Sequence, residues 1–184
     1  FAQPVKRDQV MVSHAGGLHL FDKTSRRFFP FTGKQEYTGR FLSPDKSGFF
    51  FFNTKEVKQF DTASMNFVHA NKREFGNENI YDGIVDNYDQ FFGNLKGYVY
   101  YFPFDGSIPQ QVFDQPAYCM LVDHNNYLWI GTRDKGLYRL KYKISDNKFT
   151  LIEKKHLLQE EHIRALFIDS QKNIWVGTRQ HGVF

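Results

Sequence analysis

The chain has one cysteine, Cys119, so no intramolecular disulfide can form and the redox compartment is undeclared. Cys119 lies in an apolar run and reads as a buried, inert thiol. No apolar stretch approaches the roughly 20 residues of a membrane-spanning helix. No long segment places apolar residues at a 3.6-residue spacing, so helices are not expected. Neither sign of charge prevails: 24 Lys and Arg face 20 Asp and Glu, and the net charge is +4. The basic residues are scattered, which argues against nucleic acid as a partner.

Signatures of chemistry are also missing. The seven His residues show neither H-E-x-x-H nor Cys-His ligand spacing, so no metal and no cofactor is expected. The run Asp123 to Asn126 resembles a calcium loop only superficially, because neither the Gly nor the closing Glu follows on schedule. No G-x-S-x-G, phosphate loop or dinucleotide fingerprint occurs. Glu160 and Glu161 are adjacent, and adjacency does not establish the opposed geometry of a glycosidase pair. No catalytic residue is assigned, and the segment reads as a non-enzyme.

What the chain does have is aromatic residues and repetition. Aromatics make up 18% of it, with 21 Phe, as expected where sheets pack through large flat side chains. Residues 127–138, YLWIGTRDKGLY, return as NIWVGTRQHGVF at 173–184, an offset of 46 from Trp129 to Trp175. The match extends upstream, where Leu121, Val122 and Asp123 lie over Phe167, Ile168 and Asp169. Weaker copies stand at 83–102, 39–61 and 9–22, so the step is about 40 residues, the range of propeller blades.

Short runs rich in aromatic and β-branched residues, separated by Asp, Asn, Ser and Gly, predict strands joined by hairpin turns. In the best copy the strands are placed at 118–122, 127–131, 136–143 and 148–153. Four strands per unit, repeated, predict an all-β chain: a β-propeller of four-stranded antiparallel blades, about four to five present, within a larger propeller of about seven. A single partial domain spans 1–184, with blades near 1–36, 37–76, 77–115, 116–160 and 161–184. The first unit is expected to lack its innermost strand, and the last to be cut in its third.

Written out as Leu-Val-Asp-x4-Leu-Trp-Ile-Gly-Thr-x3-Gly-Leu, the unit resembles the two-component regulator propeller repeat. The resemblance is carried by Asp123, Trp129, Gly131, Thr132, Gly136 and Leu137, then by Asp169, Trp175, Gly177, Thr178 and Gly182. Earlier copies depart from it: Phe92 stands in the place of Trp, and Asn94 follows Gly93 where Thr would be. The resemblance implies the periplasmic, extracytoplasmic sensor region of a hybrid two-component system, in which the kinase and the membrane span belong to other regions of the parent protein. It implies an oligosaccharide ligand and a homodimer in the parent sensor. The opening Phe-Ala-Gln-Pro, without Met, reads as what remains around a signal-cleavage junction.

Residues recurring in each copy read as scaffold. Trp129 and Trp175 are expected to wedge between blades with the indole N–H on a carbonyl. Gly131 and Gly177 allow close approach, Thr132 and Thr178 bond the following turn, and Gly136 and Gly182 take a conformation that a Cβ would oppose. Binding is expected where the copies differ, in the loops between second and third strands and between blades, which a propeller gathers on one face. That face is assigned His14, Asn94, Lys96, Arg133, Asp134, Lys135, Arg179, Gln180 and His181, with Glu160, Glu161 and His162 from the connection between blades. Tyr37 or Tyr81 would stack on a sugar. Two other readings compete with a sensor: a protein-interaction scaffold, marked by a large apolar patch on the loop face, and a propeller lyase or glycosidase, marked by converging acid–base groups.

Overall fold

The computed structural model describes residues 2–14, 17–30, 48–52, 57–61, 64, 66–71, 80–88, 90–103, 105 and 107–184. Among these the chain forms strands and no helix. It divides into two compact units, residues 1–80 and 81–184.

In the first unit, β1 (Ala2–Lys6), β2 (Gln9–His14), β3 (Gly17–Asp22) and β4 (Arg27–Pro30) form one antiparallel sheet in chain order. This corrects the expectation that the first unit lacks its innermost strand, because β1 pairs with β2 through Gln3↔Met11 and Pro4↔Val10. Pro4 and the scarcity of aromatics hide β1 from a propensity reading. A strand with one neighbour nonetheless tolerates a proline that donates nothing. Met11 and Leu18 are fully buried there. A second sheet holds β5 (Gly48–Phe52), β6 (Val57–Asp61) and β7 (Asn66–Asn71). The strand expected before β5 falls outside the described residues.

The second unit begins with the sheet of β8 (Ile80–Val85), β9 (Phe91–Leu95), β10 (Tyr98–Phe102) and β11 (Gln110–Gln111). The next is β12 (Ala117–Val122), β13 (Leu128–Thr132), β14 (Leu137–Ser145) and β15 (Lys148–Leu157). The last pair is β16 (Ile163–Ile168) and β17 (Ile174–Thr178), with a single bridge from Gly177 to Val183. Hairpin turns carry the left-handed residues that such connections need: Lys96 and Gly97 between β9 and β10 have φ of 56° and 87°, and Asp146 and Asn147 between β14 and β15 have 51° and 58°.

In each of the three sheets of this unit one aspartate organises the turn between the first and second strands. Asp123 Oδ1 accepts from the amides of Asn125 and Tyr127 at 2.9 and 3.0 Å, and Oδ2 accepts from the Trp129 indole at 2.8 Å. Asp169 repeats this with Gln171, Asn173 and Trp175 at 2.9, 2.8 and 2.9 Å. The expected carbonyl partner of the indole is therefore replaced by a carboxylate, a stronger acceptor that also closes the turn. Asp86 makes the same two amide contacts, with Tyr88 and Gln90 at 2.8 and 2.9 Å.

Sheets of this unit pack face to face. Phe92, Val99, Tyr101, Val112 and Phe113 of the β8–β11 sheet and its trailing segment bury against Leu128, Ile130, Tyr138, Leu140 and Tyr142. Phe92 meets Tyr142 edge-on at 5.2 Å, a favoured arrangement of aromatic quadrupoles. The following joint buries Leu137 with Ile163 and Val176, and Trp129 and Cys119 pack against that cluster. Trp129 is thus the wedge the repeat predicts. Gly131 shows how tight the joint is: a Cβ there would lie 2.6 Å from both Cys119 Sγ and Ile163 Cγ2.

Candidate functional site

The joint between the β12–β15 sheet and the β16–β17 pair positions a polar rim. Two equivalent loops supply most of it, residues 133–135 after β13 and 179–181 after β17. Each loop is pinned by the threonine that closes its strand. Thr132 Oγ1 donates to the Gly136 carbonyl at 2.7 Å and accepts from the Lys135 amide at 3.0 Å. Thr178 Oγ1 does the same with Gly182 and His181, both at 3.0 Å. Gly136 turns the chain at φ 73°, where a Cβ would strike the Leu158 carbonyl oxygen at 2.0 Å, so only glycine fits.

The connection between the two sheets closes the rim from the other side. The Gly136 amide donates to the Glu161 carbonyl at 3.0 Å, and the Arg179 amide donates to the His162 carbonyl at 2.9 Å. These backbone bonds tie the connection to both loops. They enclose a pocket of about 230 Å³ lined by eight residues: Arg133, Asp134, Glu160, Glu161, His162, Arg179, Gln180 and His181. All eight belong to the assigned face. Lys135 lies on the same loop but outside the lining, and its carbonyl accepts from His156 Nε2 at 2.6 Å.

Charges in the pocket are partly matched. His181 Nδ1 lies 2.9 and 3.0 Å from the two carboxylate oxygens of Glu161, which leaves its Nε2 clear of that contact. His162 differs: its Nε2 is buried and has no hydrogen-bond partner. Burial, followed by the positive charges of Arg164 and Arg179 and, more weakly, Arg133, holds the His162 pKa below the usual imidazole range, against an opposing pull from Asp134. The ring meets Tyr118 edge-on at 5.6 Å, and the Arg164 guanidinium lies 4.9 Å over the Tyr118 ring and bonds its hydroxyl.

The remaining assigned residues lie elsewhere. Asn94 is buried, and its Nδ2 donates to the Ala117 carbonyl at 2.9 Å, fastening two sheets together. Lys96 is exposed on the β9–β10 turn. His14 ends β2 in the first unit, opposite Gly17. Tyr81 lies within β8, and Tyr37 falls outside the described residues. Sequence reasoning missed Tyr118 and Arg164. Both lie on strands whose outward faces a loop-based search does not inspect. Cys119 is the expected inert thiol: burial pushes its pKa up to about 12.

Residues 111–134 and 157–180 match the family model described as two component regulator propeller. No curated protein matches the chain. Among solved structures, the chain resembles a protein described as the extracellular domain of hybrid two component system BT4673 from B. thetaiotaomicron, with TM-score 0.64 and 15% identity over 99% of this chain and 25% of that one. It also resembles the corresponding domain of BT3049 from the same organism, with TM-score 0.56 and 15% identity over 99% of this chain and 32% of that one. A further likeness is to the β-propeller domain of Myceliophteria thermophila Cps50 (Swd1), with TM-score 0.63 and 11% identity over 99% of this chain and 62% of that one. At these identities the likeness shows the fold, a β-propeller. The chain spans about a quarter to a third of the length of the two extracellular domains.

Proposed function

We propose, for a chain whose last two sheets carry two-component regulator propeller repeats, that it is an extracytoplasmic, periplasmic ligand-sensing segment of a hybrid two-component sensor and that its ligand is an oligosaccharide. One observation carries this reading: the eight polar side chains around the 230 Å³ pocket come from the loops of the two matched repeats and the connection between them. A rigid scaffold with variable polar loops suits hydroxyl-rich ligands, since carboxylates accept from sugar hydroxyls while guanidinium and imidazole groups donate to them. The segment acts by binding and not by turnover, and the kinase activity it controls resides in other regions of the parent sensor. Signal transfer requires the ligand to favour one arrangement of domains or subunits over another, for which a homodimer of the sensor supplies the second arrangement.

Isothermal titration calorimetry of the chain with a panel of oligosaccharides tests this. Saturable binding that weakens in Glu161→Gln and Arg179→Gln, without conversion of the sugar, is the expected result. Binding that ignores both substitutions moves the site elsewhere, and sugar cleavage during the titration replaces the sensor with an enzyme. Light scattering with and without the bound sugar then reads the subunit arrangement.

A further inference from the structure

We infer that the rim receives an anionic group of its saccharide, a carboxylate or a sulfate, between Arg133 and Arg179 beside His162; this rests on the reading of the rim as a saccharide site. Arg133 and Arg179 occupy the same position in the two repeats, each directly after the threonine that pins its loop. Among the described residues neither guanidinium makes an ion pair. Two exposed guanidinium groups on rigid, equivalent loops at one pocket present forked donors that match carboxylate and sulfate oxygens.

Of the three carboxylates lining the pocket, Asp134, Glu160 and Glu161, none makes an ion pair with either guanidinium among the described residues. Glu161 is engaged by His181 at 2.9 Å. His162 lies in the field of the Arg164, Arg179 and Arg133 guanidinium groups and of the Asp134 carboxylate. An anion beside the two guanidinium groups pairs both of them, and His162 Nε2 is buried there without a hydrogen-bond partner. The tie from the Arg179 amide to the His162 carbonyl, at 2.9 Å, holds the backbone of one loop against the connection that carries His162.

Calorimetry of the full chain with trigalacturonate, a sulfated galactobiose and uncharged galactotriose tests the subsite. One charged probe should bind at least about 10-fold more tightly than galactotriose, and Arg133→Gln and Arg179→Gln should each remove about 10-fold or more of that preference. Galactotriose affinity should fall less than that of the charged probe in both variants, melting temperature should be unchanged, and Lys141→Gln, on the exposed face of β14, should alter nothing. Which charged probe wins distinguishes carboxylate from sulfate. Galactotriose binding as tightly as both charged probes would overturn the anionic subsite and leave the saccharide reading standing. Failure of all three probes to bind would overturn both.

Discussion

The Tyr142 hydroxyl donates to Asp86 Oδ2 at 2.7 Å across the joint between two neighbouring sheets. In the repeats built around Asp123 and Asp169, that oxygen is taken by the tryptophan six positions later. Phe92 holds that position after Asp86 and brings no N–H. The degenerate repeat therefore borrows its donor from the next sheet, and Asn126 Nδ2 adds a second at 3.2 Å. Burial and the charge of Asp86 push the Tyr142 pKa well above the usual phenol range.

Tyr142→Phe should lower stability by about 1–3 kcal/mol, because a buried carboxylate oxygen loses its shorter bond while ring volume is nearly kept. The denaturant midpoint at constant slope measures it. An unchanged midpoint would mean that the remaining Asn126 contact satisfies Asp86 alone.

Trp129→Phe and Trp175→Phe remove the same indole bond in different surroundings. Trp129 packs at the joint with Leu137, Ile163 and Val176, whereas Trp175 is 47% exposed. The first substitution should cost about 2 kcal/mol and the second less than about 1 kcal/mol. Equal losses in thermal melts would show that the indole–carboxylate bond, not packing, sets the value of the tryptophan.

These pairs show what could be read from the sequence. The 46-residue offset identified Trp129, Trp175, the turn aspartates and the pinned threonines, because each copy solves one packing problem and writes it in the same letters. The eight rim residues share one pocket for the same reason: equivalent loops on stacked sheets come together. Asn94 lies apart from them, buried with its Nδ2 on the Ala117 carbonyl of the next sheet. The tie from Tyr142 to Asp86 joins residues 56 apart and follows no repeat. Asp six residues before Trp in both strong copies was nonetheless a legible sign of the indole's partner.

Gly131→Ala and Gly177→Ala form a matched test of sheet contact. The added methyl at 131 would meet Ile163 and Cys119 at 2.6 Å, whereas at 177 its nearest neighbour is the Ala165 Cβ at 3.5 Å. The first should destabilise by about 1–3 kcal/mol through overpacking. The second should be neutral or stabilise by up to about 1 kcal/mol, because alanine lowers the entropy of the unfolded chain. Calorimetric melting of both variants against the parent reads the difference, and an equal drop in both would mean that neighbouring sheets do not set the glycine requirement.

Stability should fall in alkali over a window to which the buried acids Cys119, Tyr101 and Tyr142 all contribute. Burial raises the Cys119 pKa from 9.0 to about 12, and burial with the charges of Asp105 and Asp86 raises that of Tyr101 from 10.0 to about 12. In both cases the folded chain holds a proton that the unfolded chain releases, so the stabilisation is complete below the unfolded pKa and is lost as pH rises toward the folded one. Melting temperature should therefore begin to drop near pH 9, where unfolded Cys119 ionises, and steepen above pH 10, where unfolded Tyr101 does. Cys119→Ala should lower the melting temperature at neutral pH through lost packing yet delay the start of the alkaline decline toward pH 10. A decline that begins at the same pH in both proteins would mean that Cys119 ionises as readily in the folded chain as in the unfolded one, and that the thiol is not sealed in the joint between Gly131 and Ile163.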